Sequence, residues 1–104
     1  MIKDKVASLA LMAERAGLSG VVASPQEAQM LRKKLKTKTL VVTPGIKPIW
    51  AAKRDDQSRV TTPYQAINSG ADYIVVGSAI YRNENPAEAA DKIVAEIEKA
   101  LEEM

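Results

Sequence analysis

The sequence contains no cysteine and no histidine, and these two absences remove whole classes of functional site. Without cysteine, neither disulfide bonds nor thiolate metal ligands are available. Without histidine, imidazole cannot act as a catalytic group or as a zinc ligand. We therefore expect no metal site of these common kinds.

Phenylalanine is absent and aromatic residues make up 4% of the chain, so the core has to be aliphatic. An excess of one charge is also lacking, because 15 Lys and Arg residues against 13 Asp and Glu residues leave a net charge of +2. This balance argues against binding to nucleic acid or to a membrane.

No apolar run approaches membrane-spanning length and the amino terminus lacks a signal-peptide pattern, so we expect a cytoplasmic protein. The 104 residues suffice for one domain, residues 1–104.

Residues 72–80 are the stretch around which the rest of the chain is organised. The apolar, β-branched run at 74–76 is too short for a helix and predicts a strand buried on both faces. Gly77 and Ser78 end this strand, and a short helical turn is expected to follow. A glycine turn of this kind lets backbone N–H groups approach a phosphate or another small anion. The alternative is that Gly77 only makes a tight strand-to-helix connection.

Three short apolar runs alternate with amphipathic segments along the chain. The strands are predicted over 20–23, 39–43 and 73–76, and the helices over 2–17, 25–35, 63–69 and from 86 onward. The order α-β-α-β-α-β-α predicts an α/β fold with a parallel three-stranded sheet and right-handed crossovers. Such a sheet keeps two open edges and, if curved as in a barrel, an uncovered apolar inner face.

The helix ends and apolar stripes give finer predictions. Ser24 is expected to be an N-cap whose capping box is completed by Glu27, and Thr62 is expected to cap the next helix. Gly17 and Gly70 are expected at the carboxyl ends of helices. The predicted inward stripes are Ile2, Val6, Leu9, Ala13 and Ala16 on the first helix, and Ala89, Ile93, Ile97, Ala100 and either Leu101 or Met104 on the last.

The segment from Pro44 to Arg59 has no clear periodicity, and loops of this length are usually functional or disordered. Because the carboxyl ends of parallel strands meet at one edge of a sheet, this loop is expected to lie near Ser24 and Ser78. Its cations and neutral donor are Lys47, Lys53, Arg54, Arg59 and Gln57. A cationic loop opposite a glycine turn suits a phosphate, and the alternative is that these are solvated loop charges.

Two other features of the loop are less informative. Asp55 and Asp56 resemble a carboxylate pair for acid–base chemistry or magnesium binding, but adjacent loop residues rarely point at one atom. Trp50 is more typical of a lid or a packing anchor than of a cofactor platform.

Four segments of the sequence closely resemble orotidine 5′-monophosphate decarboxylase of the bacterial type. They are GLSGVVASPQE at 17–27, VTPGIKP at 42–48, DDQSRVTTP at 55–63 and GADYIVVG at 70–77. The resemblance implies half of a (β/α)8 (TIM) barrel, because only the carboxyl-terminal half of that family is matched and a whole barrel needs at least about 200 residues. It also implies an enzyme that works as a dimer and converts orotidine monophosphate to uridine monophosphate without a cofactor.

The resemblance implies that this chain alone is catalytically inactive. The family's Asp-x-Lys-x-x-Asp catalytic array lies on the third strand of the barrel, and no Asp-x-Lys-x-x-Asp spacing occurs in this sequence. We therefore assign no catalytic residue. The missing amino-terminal half is the partner that this interpretation calls for.

The resemblance assigns the remaining half to binding of the substrate. Gln57 and Gly77 match its phosphate contacts, and Pro44 and Ile46 match residues beside the pyrimidine. Lys47 and Ser78 stand where the family usually has arginine. Loss of the guanidinium at position 78 is expected to weaken phosphate binding by a few kcal/mol.

Three interpretations remain open at this point. The first is the nucleotide-monophosphate-binding half of the decarboxylase, inactive alone. A related alternative is an enzyme half that regains activity when its amino-terminal half is supplied, although Ser78 argues against good activity even then. The second is an engineered or excised half-barrel that self-associates and binds no ligand; its open edges and apolar face make a homo-oligomer expected in either case. The third, a nucleic-acid-binding protein, is disfavoured by the balanced charge and the shortage of aromatic residues.

Overall fold

The computed structural model describes residues 2–104 of the chain, in which helices and strands alternate. The helices are α1 (Ile2–Arg15), α2 (Pro25–Lys34), α3 (Pro63–Asn68), α4 (Ser78–Tyr81) and α5 (Pro86–Glu102). The strands are β1 (Gly20–Val22), β2 (Leu40–Thr43) and β3 (Tyr73–Ile74). The loop between β2 and α3 adds single 3₁₀ turns at Ile49–Ala51 and Arg54–Asp56. No helix within residues 2–104 is both long and apolar enough to cross a membrane.

The three strands form one parallel sheet in the order β1-β2-β3, which confirms the predicted α/β topology. In its register Val22 lies beside Val42, and Val42 lies beside Tyr73. Neighbours in register point to the same side of a sheet, and successive residues point to opposite sides. The sheet therefore has two distinct faces.

One face of the sheet is covered by helices. Leu31 of α2 and Val41 of β2 are fully buried in a first cluster that also contains Ala10 of α1. A second cluster forms under the β2–α3 loop, where Ile46, Ala66 and Ala71 pack with Ile74 and Val76. The core is aliphatic, as the absence of phenylalanine predicts.

The other face of the sheet, hereafter the open face, is uncovered and apolar; it consists of Val22, Val42, Tyr73 and Val75. Val22 is 72% exposed, Tyr73 60% and Val75 51%. The prediction that the third strand is buried on both faces is therefore wrong. The sequence pattern requires only that apolar residues occur on both sides of the strand, and within residues 2–104 helices cover one of them.

The apolar stripes of the outer helices are only partly buried. On α1, Ala7 and Ala10 are buried, whereas Ile2 and Leu9 of the predicted stripe are exposed. On α5, the predicted Ala89, Ile93 and Ala100 are buried, but Leu101 and Met104 are exposed. Leu9 lines a groove with Val21 and Val22 of β1, the edge strand, where the described chain has no further element to pack against it.

The predicted caps differ in outcome. Thr62 is the N-cap of α3, as predicted, and it forms a complete capping box with Gln65. The capping box predicted for Ser24 is not formed, because its hydroxyl donates to the Glu27 carboxylate instead of accepting a backbone N–H. Gly17 and Gly70 follow helices with positive φ angles, as expected for residues that end a helix.

Candidate functional site: a cationic pocket at the strand ends

The loop after β2 is tied to the carboxyl end of β3 and to the start of α3. The backbone N–H of Ile46 donates to the Val75 carbonyl at 3.4 Å, and that of Lys47 donates to the Thr61 carbonyl at 3.0 Å. Ile46 and Thr61 also form a parallel β-bridge. These contacts place Lys47 at the edge where the strands end, which is the usual location of ligand sites in parallel α/β folds.

A cavity of about 280 Å³ opens at this edge. It is lined by Lys47, Trp50, Ala51, Lys53, Ser78, Ala79, Arg82 and Asn83, and we call it the cationic pocket. Three of these side chains are cations, and the lining contains no carboxylate. The pocket brings together Lys47 and Ser78, two residues that the sequence motifs single out. It therefore combines positive charge with hydroxyl and amide donors, the groups that bind phosphate oxygens.

Gly77 connects β3 to α4, immediately before this pocket. It is the N-cap of α4, with a φ of −107°, and its carbonyl accepts the backbone N–H of Ile80 at 2.9 Å. A Cβ atom built on Gly77 meets no atom within 4 Å. Within residues 2–104, crowding around Gly77 therefore does not require a glycine.

The other residues assigned by resemblance lie outside the pocket lining. Gln57 is exposed, and its amide nitrogen lies 3.5 Å from the Ile49 carbonyl. Pro44 is half-buried at the end of β2. Ile46 is only 3% exposed and packs against Ala66 and Ala71, so its side chain has almost no surface to offer to a pyrimidine.

Several polar residues expected near the strand ends do not join the pocket. Ser24 pairs with Glu27, and Arg54 and Arg59 are exposed outside the lining. Asp55 and Asp56 are exposed in the second 3₁₀ turn. Across residues 2–104, no cluster of three or more Asp or Glu residues is arranged to hold a metal ion.

The structure adds residues that the sequence motifs do not indicate. Arg82 and Asn83 enter the pocket because α4 turns the chain back over the strand ends. The spacing of four residues between Ser78 and Arg82 is the sequence signal for Arg82, once a helical turn is expected there. Trp50 forms part of the pocket wall, and the Lys92 ammonium on α5 lies 5.4 Å from the centre of its ring.

Comparison with protein families gives a match to the orotidine 5′-phosphate decarboxylase / HUMPS family over residues 2–93. The chain is 51% identical over 96 residues to an orotidine 5′-phosphate decarboxylase of Geotalea daltonii, covering 92% of this chain and 40% of that protein. A relative with the same name from Syntrophomonas wolfei is 49% identical over 98 residues, covering 94% and 41%.

Among solved structures, an orotidine 5′-phosphate decarboxylase from Lactobacillus acidophilus superposes with a TM-score of 0.78 at 34% identity. The superposition covers 92% of this chain and 38% of that one. The chain thus spans about two fifths of the length of the curated relatives it matches. Its three parallel strands and their helices have the architecture of half a (β/α)8 barrel, as the sequence resemblance implies.

Proposed function

Because this chain belongs to the orotidine 5′-phosphate decarboxylase / HUMPS family, we propose that it is the phosphate- and pyrimidine-binding half of an orotidine 5′-monophosphate decarboxylase. The proposed enzyme cleaves the bond between the pyrimidine ring and its carboxylate, so that orotidine monophosphate gives uridine monophosphate and CO2. This chain would contribute substrate binding to that reaction, in pyrimidine biosynthesis.

The cationic pocket is the observation that carries this proposal. Lys47 provides a positive charge and Ser78 a hydroxyl at the edge of the sheet where ligands of parallel α/β proteins bind. Gly77 would present backbone to the phosphate, and Gln57 would reach it from the loop. Pro44 would face the pyrimidine. The side chain of Ile46 is buried and would only hold the β2–α3 loop in place through its packing in the core.

We expect no turnover from this chain alone. The sequence contains no Asp-x-Lys-x-x-Asp array, so it has no matched group to place a proton on the ring carbon that loses CO2. The open face must also be covered, because it exposes the apolar side chains of Val22, Tyr73 and Val75 to water. In the proposed enzyme, the amino-terminal strands supply the group that protonates the ring carbon and also cover the open face. The relatives are long enough to contain such strands, since this chain covers only 40% and 41% of their length.

The test is complementation between two chains. The chain is mixed with the separately produced amino-terminal part of the Geotalea daltonii relative, and the loss of orotidine monophosphate is followed. We expect turnover only in the mixture, and Ser78→Arg should raise it because a guanidinium binds phosphate through two hydrogen bonds. Val94→Arg, which adds the same charge on the exposed face of α5, is the matched control and should not raise turnover.

A stable 1:1 complex of the two chains that shows no turnover with either Ser78 or Arg at position 78 would contradict the proposed enzyme. Binding of uridine monophosphate by the chain alone would still support a nucleotide-binding half. The two measurements therefore separate binding from catalysis.

The open face favours a second candidate, a self-associating half-barrel without a ligand. Association of copies would remove the exposed side chains of Val22, Tyr73 and Val75 from water. Light scattering gives the mass in solution, and a titration with uridine monophosphate followed by Trp50 fluorescence reports on the pocket. A defined oligomer that does not respond to the nucleotide supports this candidate, and a monomer that unfolds cooperatively contradicts it.

A further inference from the structure

Arg82 lies one helical turn after Ser78, and both residues line the cationic pocket. The backbone N–H of Arg82 donates to the Ser78 carbonyl at 3.0 Å, so the two residues have the spacing of neighbours on one helix face. Side chains on a helical turn lean toward its amino-terminal end. Because both residues line the cationic pocket, the Arg82 side chain is within reach of the space beside Ser78.

The cations of the pocket come from separate parts of the chain. Lys47 follows β2, Lys53 lies between the two 3₁₀ turns, and Arg82 follows α4. None of the three forms an ion pair with a carboxylate within residues 2–104. Gathering like charges around one cavity is unfavourable unless an anion enters it, so the arrangement is suited to binding an anion with more than one negative charge.

Arg82 has only a weak competing contact. Its guanidinium carbon lies 5.6 Å from the centre of the exposed Tyr81 ring, and cation–π contacts at exposed sites are worth little. The small side chain of Ser78 leaves room in the pocket beside the arginine. Arg82 can therefore turn toward a ligand at low cost.

We infer that Arg82 supplies the guanidinium that binds the phosphate group in the cationic pocket, with Lys47 and Lys53 as additional positive charges and Ser78 as a hydroxyl donor. The inference rests on the proposed function for the presence of a phosphate, and it adds a binding residue that none of the sequence motifs contains. Guanidinium and ammonium groups differ here, because a planar guanidinium binds two phosphate oxygens at once.

The test measures the affinity of the chain for orthophosphate and for uridine monophosphate through Trp50, its single tryptophan and a residue of the pocket wall. Arg82→Gln should weaken binding of both ligands by about tenfold or more, the usual effect of losing charged hydrogen bonds. Arg82→Lys should retain only part of the affinity, because the ammonium group keeps the positive charge but cannot bind two phosphate oxygens at once as a planar guanidinium does. Circular dichroism checks that each variant is folded.

Arg54→Gln is the matched control, since it removes the same charge from an exposed residue outside the pocket lining. We expect it to change the affinity less than twofold. Ser78→Arg in the Arg82→Gln background should restore binding, because it returns a guanidinium to the same face of the turn.

The outcomes separate this inference from the proposed function. If the chain binds uridine monophosphate but Arg82→Gln weakens binding no more than Arg54→Gln, the inference is overturned and the proposed function stands. If orthophosphate binding depends on Arg82 but uridine monophosphate binds no more tightly than orthophosphate, the inference stands and the pyrimidine part of the proposed function fails. No saturable response to either ligand overturns the inference.

Discussion

Arg32 of α2 and Asp72, the residue before β3, form an ion pair with 2.7 Å between Nη1 and Oδ2. The same carboxylate oxygen accepts the backbone N–H of Val41 at 2.8 Å. The second guanidinium nitrogen, Nη2, donates to the carbonyls of Lys36 and Thr39 at 2.6 and 2.8 Å. This network joins α2 to the amino ends of β2 and β3, at the opposite end of the sheet from the cationic pocket.

Removing the guanidinium should destabilise the fold. We expect Arg32→Met to lower the free energy of unfolding by about 1–2 kcal/mol, because it removes the hydrogen bonds to two carbonyls and the ion pair with Asp72. Urea denaturation measures the change. Lys33→Met, on the exposed side of the same helix, should change stability by less than about 0.5 kcal/mol. Equal losses in the two variants would show that the network contributes nothing specific.

The approach of Gly70 to Arg32 makes a second prediction. Gly70 has a φ of +108°, and a Cβ atom added there would lie 2.9 Å from Arg32 Cβ and Cγ. Gly17 also has a positive φ but has open space around it. We expect Gly17→Ala to cost about 1–2 kcal/mol for the backbone conformation alone, and Gly70→Ala to cost clearly more. Equal changes in thermal stability would contradict a role for the contact with Arg32.

Glu14 makes stability dependent on pH in acid. Its carboxylate accepts the Thr39 hydroxyl at 2.6 Å and the Lys36 backbone N–H at 2.8 Å, and these hydrogen bonds, the Thr39 bond first, lower the pKa of Glu14. A group with a lowered folded pKa stabilises the protein above its unfolded pKa, and this contribution is lost as the pH falls through the folded pKa.

We therefore expect Glu14→Gln to be less stable than the unaltered chain at neutral pH and to lose less stability between neutral and acidic pH. Urea denaturation over a pH series measures both effects. Glu98→Gln, an exposed change on α5, should follow the unaltered chain. A Glu14→Gln stability curve parallel to that of the unaltered chain at all pH values would contradict the assignment.

Thr43 provides a prediction of increased stability. It is fully buried on the helix-covered side of β2, and its hydroxyl has no hydrogen-bond partner in the described part of the chain. Thr43→Val keeps the shape and removes the unpaired hydroxyl, so we expect unfolding to cost about 1 kcal/mol more. Thr43→Ser keeps the hydroxyl and deletes a buried methyl group, so it should lose about 1 kcal/mol. Urea denaturation of the two variants in parallel distinguishes these effects.

Self-association should depend on the open face. We expect Val22→Lys to lower the mass measured by light scattering, because a charge at a 72% exposed position disfavours burial of that face while leaving the single chain intact. Val94→Lys, at a 51% exposed position on α5, introduces the same charge away from the sheet. A mass that falls with Val94→Lys and not with Val22→Lys would place the interface elsewhere.

Local sequence patterns located the main helices and the three strands, although β3 (Tyr73–Ile74) is shorter than the predicted 73–76 and the two 3₁₀ turns after β2 were not predicted. The β-branched runs predicted all three strands, since short apolar runs separated by helices are typical of a parallel sheet. Thr62 followed by Pro63 marked the start of α3, because a side-chain cap and a residue without an N–H suit the first turn of any helix. These features depend on residues only a few positions apart.

Lys47 and Ser78 could be selected as candidate site residues because both lie in segments that follow predicted strands and stand where the resembled family usually has arginine. The spacing from Ser78 pairs Arg82 with that residue once a helical turn is expected, but the pattern alone does not show that Arg82 or Trp50 lines a pocket. Their positions depend on how α4 and the β2–α3 loop fold over the strand ends, and that is decided by contacts between segments far apart in the chain, such as Ile46 with Val75.

The amino-acid order therefore determined which segments are helices and strands, that the strands are parallel, and which motifs lie at their ends. Tertiary structure decided which apolar residues are buried, since Val41 is enclosed while Val22 and Tyr73 are exposed. The physical reason is that a side chain's tendency to leave water is local, whereas the surface that covers it comes from elements distant in sequence.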